Sequence, residues 1–342
     1  MRVLFRVDAS ATIGLGHLVR SLCLARRLVD HGAEVRVLTA APSSAIIRRI
    51  EAVGAAVVRL EEAPGSAADV ALTVQEAKHG AAVVVDGYAF DAGYMQCLAQ
   101  GGTPTVQIDD AGGAVADVVV NGNLYADGMD YPGAGLCLVG PRWSLLDPRF
   151  VTAHGIERGD AADPPRLLVS MGGADPTGET LKAFAALEHL PPWPCTVVVG
   201  PLAGHGDTIR RAAAARAAVA PTRVLDDVDD MASLLAAHDV AIAAAGTAAL
   251  ELACVGIPAL LVAVADNQRP VLQAAATLGT AVPLGWHTEV DAPKIAAGLG
   301  ALVADPALRR ALSTRGRALV DGGGAARVAS KIIHLARMRA AS

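Results

Sequence analysis

Short runs of β-branched and aliphatic residues alternate with longer Ala- and Leu-rich segments along most of the chain. The short runs have the length of strands, and the segments between them have the length of helices. This order predicts βαβ units, in which helices cover both faces of a parallel sheet. In the first half we predict strands at Arg2–Val7, Glu34–Thr39, Ala56–Arg59, Ala82–Asp86, Pro104–Ile108 and Val118–Val120, with helices at His17–Asp30, Ser43–Val53, Ala68–Lys78 and Asp91–Gln100.

The alternation is interrupted once, by a charged and proline-rich stretch over residues 155–165 (GIERGDAADPP). This stretch lacks apolar periodicity and has the composition of an interdomain linker. The same alternation then starts again and continues to a set of terminal helices. We therefore predict two α/β domains, an N-terminal Rossmann-like domain over residues 1–155 and a C-terminal one over 164–342.

Composition and charge exclude several classes of protein. The 342 residues carry 29 Lys and Arg against 34 Asp and Glu, which gives no basic stripe for nucleic acid. The longest apolar run, Pro258–Ala265, is too short for a membrane span, and the N-terminal MRVLFRVDAS lacks a signal-peptide core. Five scattered cysteines form no CxxC pair. We expect a cytoplasmic protein without stable membrane insertion, a zinc site or a disulfide framework, and its partner proteins are unknown.

The loop Asp8–His17 joins the first predicted strand to the first helix, a position where open α/β sheets bind ligands. Gly14 and Gly16 allow a tight turn and close approach of the backbone to a ligand. Val19 stands where the third glycine of the G-x-G-x-x-G fingerprint belongs, and no acidic residue closes the second strand. An NAD site is therefore disfavoured, and we expect no cofactor.

His17 is the most informative residue of this loop. In the first turn of a helix it lies near the positive end of the helix dipole, which disfavours the imidazolium form. A neutral histidine that follows a strand-to-helix loop at the carboxyl edge of a sheet is suited to act as a general base. The alternative is a structural histidine that caps or hydrogen-bonds the loop.

Two loops of the second half have glycines that can expose backbone amides to a phosphate. The first contains Gly172 and Gly173, with the alternative of a plain turn capped by Asp175 or Thr177. The second contains Gly246 and Thr247.

Glu251 follows Thr247 by one helical turn, and its carboxylate could accept hydrogen bonds from ribose hydroxyls. The alternative for Glu251 is an ordinary exposed helical residue. Asp266-Asn267-Gln268 follows a very apolar strand and suggests sugar or phosphate contacts, with N-capping as the alternative.

Other polar residues at strand ends give weaker signals. Tyr88 follows Asp86-Gly87 and is either an active-site residue or a half-buried packing tyrosine. Asp109 and Asp110 are adjacent carboxylates without an evident third ligand, so a metal site is disfavoured.

The segments Arg6-Val-Asp8-Ala-Ser10 and Ile13-Gly14-Leu-Gly16-His17-Leu-Val-Arg20 resemble the N-terminal signature of the PseG/SpsG-type UDP-sugar hydrolases. Other features of that family occur in order from Arg6 to about Trp286: Asp86-Gly87-Tyr88, Ile108-Asp109-Asp110, Gly140-Pro-Arg142, Asp147-Pro-Arg149-Phe150, Met171-Gly-Gly173, Gly246 through Glu251 and Asp266-Asn267-Gln268. The sequence departs from the family pattern at Gly87, where histidine is often found, and at Thr247, where serine is common.

The resemblance implies a GT-B-like α/β fold, with two Rossmann-type parallel-sheet domains facing across a cleft. It also implies metal-independent hydrolysis of UDP-2,4-diacetamido-2,4,6-trideoxy-β-L-altrose to the free sugar and UDP, as in pseudaminic acid biosynthesis. His17 then matches the general base, and Tyr88 an active-site tyrosine. Nucleotide or substrate contacts are implied for Arg6, Asp8, Gly14, Gly16, Arg20, Arg142, Met171, Gly172, Gly173, Gly246, Thr247, Glu251, Asn267 and Gln268.

Two other functions use the same residues. In a GT-B glycosyltransferase His17 would deprotonate an acceptor hydroxyl rather than water. A non-catalytic nucleotide-sugar-binding protein would need the nucleotide loops but not the histidine.

The lack of a metal-ligand pattern predicts that UDP release from a UDP-sugar survives a strong chelator. Activity would be followed by UDP production before and after EDTA treatment, with a metal-dependent enzyme treated in parallel as a control. Loss of activity with EDTA and its recovery with Mg²⁺ or Mn²⁺ would contradict the metal-independent mechanism.

Overall fold

The computed structural model describes residues 1–10, 13–78, 80–159 and 161–340. The chain divides into two compact units. Unit 1 contains residues 1–148 and the segment from Gly323 onward, and unit 2 contains Arg149–Gly322.

Unit 1 is built on a seven-stranded sheet in which all neighbouring strands are parallel. Its spatial order is β3-β2-β1-β4-β5-β6-β7, so the direction of chain progression reverses between β1 and β4. The strands are β1 (Arg2–Val7), β2 (Glu34–Ala40), β3 (Ala56–Leu60), β4 (Ala82–Asp86), β5 (Thr105–Ile108), β6 (Val118–Asn121) and β7 (Leu136–Val139), and the helices between them are α1 (Gly16–Asp30), α2 (Ser44–Ala52), α3 (Ala67–Ala77) and α4 (Ala92–Gln100).

Unit 2 repeats this architecture with six parallel strands in the order β10-β9-β8-β11-β12-β13. The reversal of direction falls between β8 and β11. The strands are β8 (Leu167–Ser170), β9 (Cys195–Val199), β10 (Thr222–Asp226), β11 (Val240–Ala244), β12 (Ala259–Ala263) and β13 (Val282–Trp286). The helices are α5 (Arg149–His154), α6 (Glu179–Leu187), α7 (Gly206–Arg216), α8 (Met231–Ala236), α9 (Ala248–Val255), α10 (Arg269–Leu278), α11 (Ala292–Ala304) and α12 (Pro306–Leu319).

The six strands predicted for the first half are confirmed to within one residue at each end. Their Val-rich centres are buried on both sides, as in β4 and β6, because helices cover both faces of the sheet. Strand β7 was not predicted from the sequence. It is an edge strand with exposed Leu136 and Cys137, so it lacks the continuous apolar run of a central strand.

The boundaries of the two units differ from the predicted 1–155 and 164–342. Helix α5 belongs to unit 2, where His154 Nδ1 lies 2.9 Å from the Cys254 carbonyl oxygen of α9. The last helix, α13 (Gly324–Ala340), belongs to unit 1, where it packs on α1. A side chain at Gly324 would clash with the Ser144 backbone, so glycine permits this close packing.

A buried histidine lies at the amino end of the sheet of unit 2. His238 Nδ1 is 2.7 Å from the Leu234 carbonyl oxygen, and Nε2 is 2.9 Å from Thr196 Oγ1. The carbonyl can only accept, so Nδ1 carries the proton and Nε2 accepts from the hydroxyl. Burial lowers the pKa of His238, because the charged form loses its hydration.

This histidine predicts acid sensitivity of unit 2. The folded pKa lies below the unfolded value of about 6.5, so stability present above pH 6.5 is lost as the pH falls through the folded pKa. We expect the wild type to lose more free energy of unfolding than H238Q between about pH 6.5 and 5, by up to roughly 1 kcal/mol per pH unit.

Urea unfolding at several pH values measures this difference. The matched control is H189Q, which removes an exposed histidine of the same unit and should leave the pH dependence unchanged. Equal pH dependence of the wild type and H238Q would show that His238 is not the responsible group.

Candidate functional site

In unit 1, a tight turn brings His17 back to the carboxyl edge of the sheet. Gly14 has a φ of 82° and donates its backbone N–H to the Ser10 carbonyl at 2.8 Å. A side chain would strain this left-handed conformation, so glycine is favoured at position 14. Gly16 then begins α1, and His17 lies in the first helical turn with 6% of its surface exposed.

The carboxylate of Asp86 contacts the His17 side chain. Asp86 is the last residue of β4, and its register partner on β1 is Val7, directly before the loop that leads to His17. Its Oδ1 lies 2.7 Å from His17 Nδ1, and its Oδ2 accepts from Ser21 Oγ at 3.0 Å. Parallel pairing of β1 and β4 thus joins two groups that are 69 residues apart.

Arg20, which lies on α1, binds the same carboxylate. Its Nε and Nη2 donate to Asp86 Oδ2 and Oδ1 at 2.8 and 2.5 Å, and its Nη1 donates to Asp110 Oδ2 at 3.0 Å. Such a bidentate pair is stronger and more directional than a single hydrogen bond. Arg20, predicted to contact substrate, therefore positions two carboxylates of the protein.

The proton positions follow from this geometry. Arg20 Nη2 also lies 2.9 Å from His17 Nδ1, but a guanidinium can only donate hydrogen bonds. A carboxylate can only accept, so Nδ1 cannot satisfy both neighbours. Because Arg20 Nη2 is already bonded to Asp86, we assign the proton of neutral His17 to Nδ1, donated to Asp86. This tautomer leaves a lone pair on Nε2.

The cluster of His17, Arg20, Asp86 and Asp110 has a formal charge of −1 with neutral His17. Burial alone would raise the pKa of Asp86, but the charge of Arg20 and the hydrogen bonds from Arg20 and His17 hold that pKa below its usual range. Asp86 is therefore an anion facing the imidazole, and a proton added to His17 would neutralise the cluster.

Tyr88 lies beside His17, as the sequence suggested. The two rings meet edge to face with centroids 4.8 Å apart, and Tyr88 OH donates to Asp110 Oδ2 at 3.1 Å. Tyr88 is 56% exposed, so it is not a core tyrosine. Gly87 has a φ of 148°, and a Cβ there would come within 3.0 Å of Phe90. This backbone conformation favours the glycine found in place of histidine.

Arg6 and Asp8 form a separate buried network. Arg6 is fully buried, donates from Nε and Nη2 to the two oxygens of Asp69 at 2.9 Å, and has Nη1 2.8 Å from Asp8 Oδ1. Arg6 thus braces the carboxyl end of β1 from inside the unit and presents no surface to a ligand. Asp8 Oδ1 also accepts from Ala40 N at 2.7 Å, while its Oδ2 has no hydrogen-bond partner among the described residues.

Arg142 lies in a 3₁₀ turn, Pro141–Trp143, away from these contacts. Its guanidinium lies 5.2 Å from the centroid of the Trp143 ring, and its carbonyl accepts from Arg327 of α13. The described contacts of Arg142 are thus with the turn and α13 rather than with His17.

In unit 2, the Gly172–Gly173 loop follows β8 and packs on the loop after β9. Gly172 has a φ of 79°, and the Gly173 carbonyl accepts from Leu202 N at 2.9 Å. A side chain at Gly200 would clash with this backbone. Met171 is buried in the core, so it anchors the loop rather than lining its surface.

Asp175 occupies the start of α6. Its Oδ1 and Oδ2 accept from the backbone amides of Glu179 and Thr180 at 2.8 and 3.1 Å. The N-cap residue of α6 is Gly178, so neither Asp175 nor Thr177 is the N-cap, although the Asp175 carboxylate accepts from two amides of the first turn. Those two amides are taken by the protein's own carboxylate, which leaves the glycine amides as the phosphate-binding candidates of this loop.

Gly246 and Thr247 lead into α9 without a side-chain cap. The nearest side-chain atom to a Cβ at Gly246 would be Gln268 Nε2, at 3.5 Å, while Gln268 Oε1 accepts from Val264 N at 3.0 Å. The loops after β11 and β12 therefore touch. Glu251 is half-buried one turn into α9, and Asn267 is exposed in the 3₁₀ turn Asp266–Gln268.

Sequence reasoning missed the roles of Asp86 and Asp110. Both are carboxylates at the ends of buried strands, which is a usable signal. Their partner Arg20 lies 66 and 90 residues away, so only the strand order places them together.

In the part of the chain that the structure describes, no helix is both long and apolar enough to cross a membrane. Within the same residues, no group of three or more His, Cys, Asp or Glu is placed to hold a metal ion.

The fold of this chain is that of GT-B glycosyltransferases, with two Rossmann-like units on parallel sheets. It is similar to the crystal structure of MurG from Acinetobacter baumannii, with a TM-score of 0.68 and 16% identity over 97% of this chain and 99% of that one. Anabaena HepE in complex with UDP-glucose gives a TM-score of 0.64 and 14% identity, over 98% and 99% of the two chains.

In sequence, the chain is 29% identical over 220 residues to the spore coat polysaccharide biosynthesis protein SpsG of Bacillus subtilis strain 168. The matched region covers 62% of this chain and 63% of SpsG, so the chain spans less than two thirds of that relative. No protein-family model matches the chain.

The assigned tautomer of His17 can be tested by NMR of ¹⁵N-histidine-labelled protein. We expect neutral His17 to carry its proton on Nδ1, because Asp86 accepts from that nitrogen. D86N should lose this preference, since the new amide can donate to Nδ1.

The H17N variant identifies the His17 signals among those of the nine histidines. The matched control is S21A, which removes another contact to Asp86 but keeps the carboxylate and should keep the tautomer. A proton on Nε2 in the wild type would overturn the assignment.

Proposed function

We propose that this protein hydrolyses a UDP-linked sugar to the free sugar and UDP, with His17 as the general base. The observation that carries the proposal is the His17–Asp86 pair, whose Nδ1···Oδ1 distance is 2.7 Å. A histidine held in this way by a buried carboxylate presents Nε2 as a proton acceptor. The N-terminal signature shared with the PseG/SpsG-type hydrolases and the similarity to SpsG support the same function.

The proton transfer follows from the charge of the cluster. Water bound near Nε2 gives up a proton as its oxygen forms a bond to the anomeric carbon, and His17 becomes an imidazolium. The new positive charge faces Asp86, so the cluster changes from a net charge of −1 to neutral. This compensation stabilises the proton-transfer state in a buried site, where uncompensated charge is costly.

The bond from the anomeric carbon to the β-phosphate oxygen breaks as the new bond forms on the opposite face, so the configuration is inverted. The electron pair leaves with UDP, and His17 later returns its proton to solvent. Tyr88 positions the water or the sugar, because its ring borders the imidazole and its hydroxyl is fixed by Asp110.

Unit 2 supplies the nucleotide contacts in this proposal. The amides at Gly246–Thr247 bind the diphosphate, since no side chain caps this start of α9. The amides at Gly172 and Gly173 add to this site, whereas Asp175 occupies the following amides of α6. Glu251 accepts from the ribose hydroxyls, and Asn267 with Gln268 contacts the sugar. A GT-B relative of this fold, HepE, was crystallised with UDP-glucose.

The sugar we propose is a 2,4-diacetamido-2,4,6-trideoxyhexose, on the resemblance to the pseudaminic acid pathway hydrolases. No metal is assigned a role, so backbone amides carry the stabilisation of the leaving diphosphate.

Glycosyl transfer is the second candidate, because several structures similar to this chain, the calicheamicin glycosyltransferase CalG4 among them, are glycosyltransferases. His17 would then take the proton of an acceptor hydroxyl, with the same leaving group. Incubation of the protein with UDP-diacetamido sugars and no acceptor separates the two reactions. Stoichiometric release of UDP and free sugar supports hydrolysis, whereas release only on addition of an acceptor favours transfer.

We expect H17N to lower kcat by about 100-fold or more while UDP affinity stays the same, because the proton acceptor is lost and unit 2 is intact. The wild-type rate should fall on acidification, since the base acts in its neutral form. UDP release and calorimetry with UDP measure the two effects.

The matched control is H31N, which changes an exposed histidine at the other end of α1, whose Nδ1 lies 2.7 Å from the Arg27 carbonyl oxygen. Near wild-type turnover of H17N, with an unchanged pH profile, would remove His17 from the mechanism.

A further inference from the structure

A stacked arginine and tryptophan lie at the carboxyl edge of unit 2, outside the loops discussed so far. Arg269 begins α10 directly after the Asp266–Gln268 turn, and its guanidinium carbon lies 3.7 Å from the centroid of the Trp286 ring. Trp286 ends β13, and its ring meets that of His287 at a centroid distance of 4.6 Å. We propose that Arg269 forms an oxyanion-binding subsite, with its guanidinium held in position by Trp286.

The terminal nitrogens of the Arg269 guanidinium are available to a ligand. Arg269 Nε donates to Asp266 Oδ1 at 3.1 Å, while Nη1 and Nη2 have no hydrogen-bond partner among the described residues. The Arg269 side chain is 52% exposed and that of Asp266 is 91% exposed. An ion pair this exposed is weak, so it leaves the guanidinium able to bind another anion.

Two other cations at this edge of unit 2 differ from Arg269 in their contacts. Lys182 Nζ is 2.8 Å from Glu179 Oε1 and donates to the His287 carbonyl at 2.7 Å. Arg210 donates to Asp207 and Asp226 at 2.8 and 2.7 Å. Both of these cations are engaged by the protein, whereas Arg269 presents two nitrogens in the planar fork that matches phosphate or carboxylate.

Stacking makes this fork suitable for binding. An arginine on a protein surface usually loses side-chain entropy when it binds an anion. The contact with Trp286 restricts the guanidinium in advance and adds a cation–π attraction. Less entropy is then lost on binding, which is the physical advantage of a preorganised site.

The position of Arg269 indicates what it binds. Strands β11, β12 and β13 are neighbours about 4.8 Å apart, so Trp286 lies roughly 10 Å along the edge from the end of β11, where Gly246 begins the proposed diphosphate site. Gln268, which lies against Gly246, directly precedes Arg269. Because the proposed function assigns Asn267 and Gln268 to the sugar, we place the subsite on the sugar side of the diphosphate, and this inference rests on that proposed function. Its ligand is a β-phosphate oxygen or an anionic substituent, such as a carboxylate, on the sugar.

Calorimetry on the full chain tests the subsite, with pyrophosphate, UMP, UDP, UDP-glucose and UDP-glucuronate as probes. R269M keeps an unbranched side chain on Trp286 but removes the fork. If the β-phosphate is the ligand, R269M should lower the affinity for pyrophosphate and UDP by about ten-fold or more and leave the affinity for UMP unchanged. If a sugar carboxylate is the ligand, the loss should be confined to UDP-glucuronate.

Three further variants keep the test specific. R223M removes an exposed arginine within β10 and should change none of the affinities. D266N removes the carboxylate that competes for the Arg269 guanidinium. It should increase the affinity for whichever probe R269M weakens. W286L should lower the affinity for the same probe less than R269M does, because the charge of Arg269 remains.

Equal affinities of wild type and R269M for all five probes would overturn the proposal for Arg269. If in that case both proteins still bound UDP, the proposed function would remain intact. If the wild type bound no uridine nucleotide, the proposed function would fail, and Arg269 would then be judged by pyrophosphate alone: weaker binding by R269M would support the subsite, and equal binding would overturn it.

Discussion

The buried carboxylate of Asp86 is the interaction on which the candidate site of unit 1 depends. It accepts hydrogen bonds from His17, Arg20 and Ser21, all on the first two turns of α1, and so fixes the helix to the end of β4. An uncompensated carboxylate at this depth would be costly, and Arg20 removes that cost. The same contacts set the His17 tautomer. One side chain therefore both anchors the helix and orients the imidazole.

The charged and polar groups at the strand ends have different partners in the two units. In unit 1, side chains meet side chains, and the cluster around Asp86 keeps a net negative charge that suits proton uptake. In unit 2, backbone amides and glycines dominate, and a protein carboxylate, Asp175, occupies two amides of α6. The described polar groups at the strand ends are thus mainly side-chain acceptors in unit 1 and backbone donors in unit 2.

Several residues near the motifs have structural rather than ligand-binding surroundings. Arg6 lies two residues before Asp8 in the N-terminal signature, yet it is fully buried against Asp69. Met171 precedes two glycines and belongs to the core. Sequence motifs do not separate these supporting positions from exposed ones, because a loop needs both.

The sequence by itself determined the βαβ alternation, the two sheets and the loops that carry polar groups, because burial on two faces and glycine turns leave local patterns. It also singled out His17 and Tyr88 as candidate site residues, through their motifs. Strand order, which depends on packing over the whole chain, was decided only by the tertiary structure. Parallel pairing of β1 with β4 brought Asp86 to His17, and the neighbouring ends of β12 and β13 brought Arg269 to Trp286. These contacts join residues distant in sequence, so no local pattern records them.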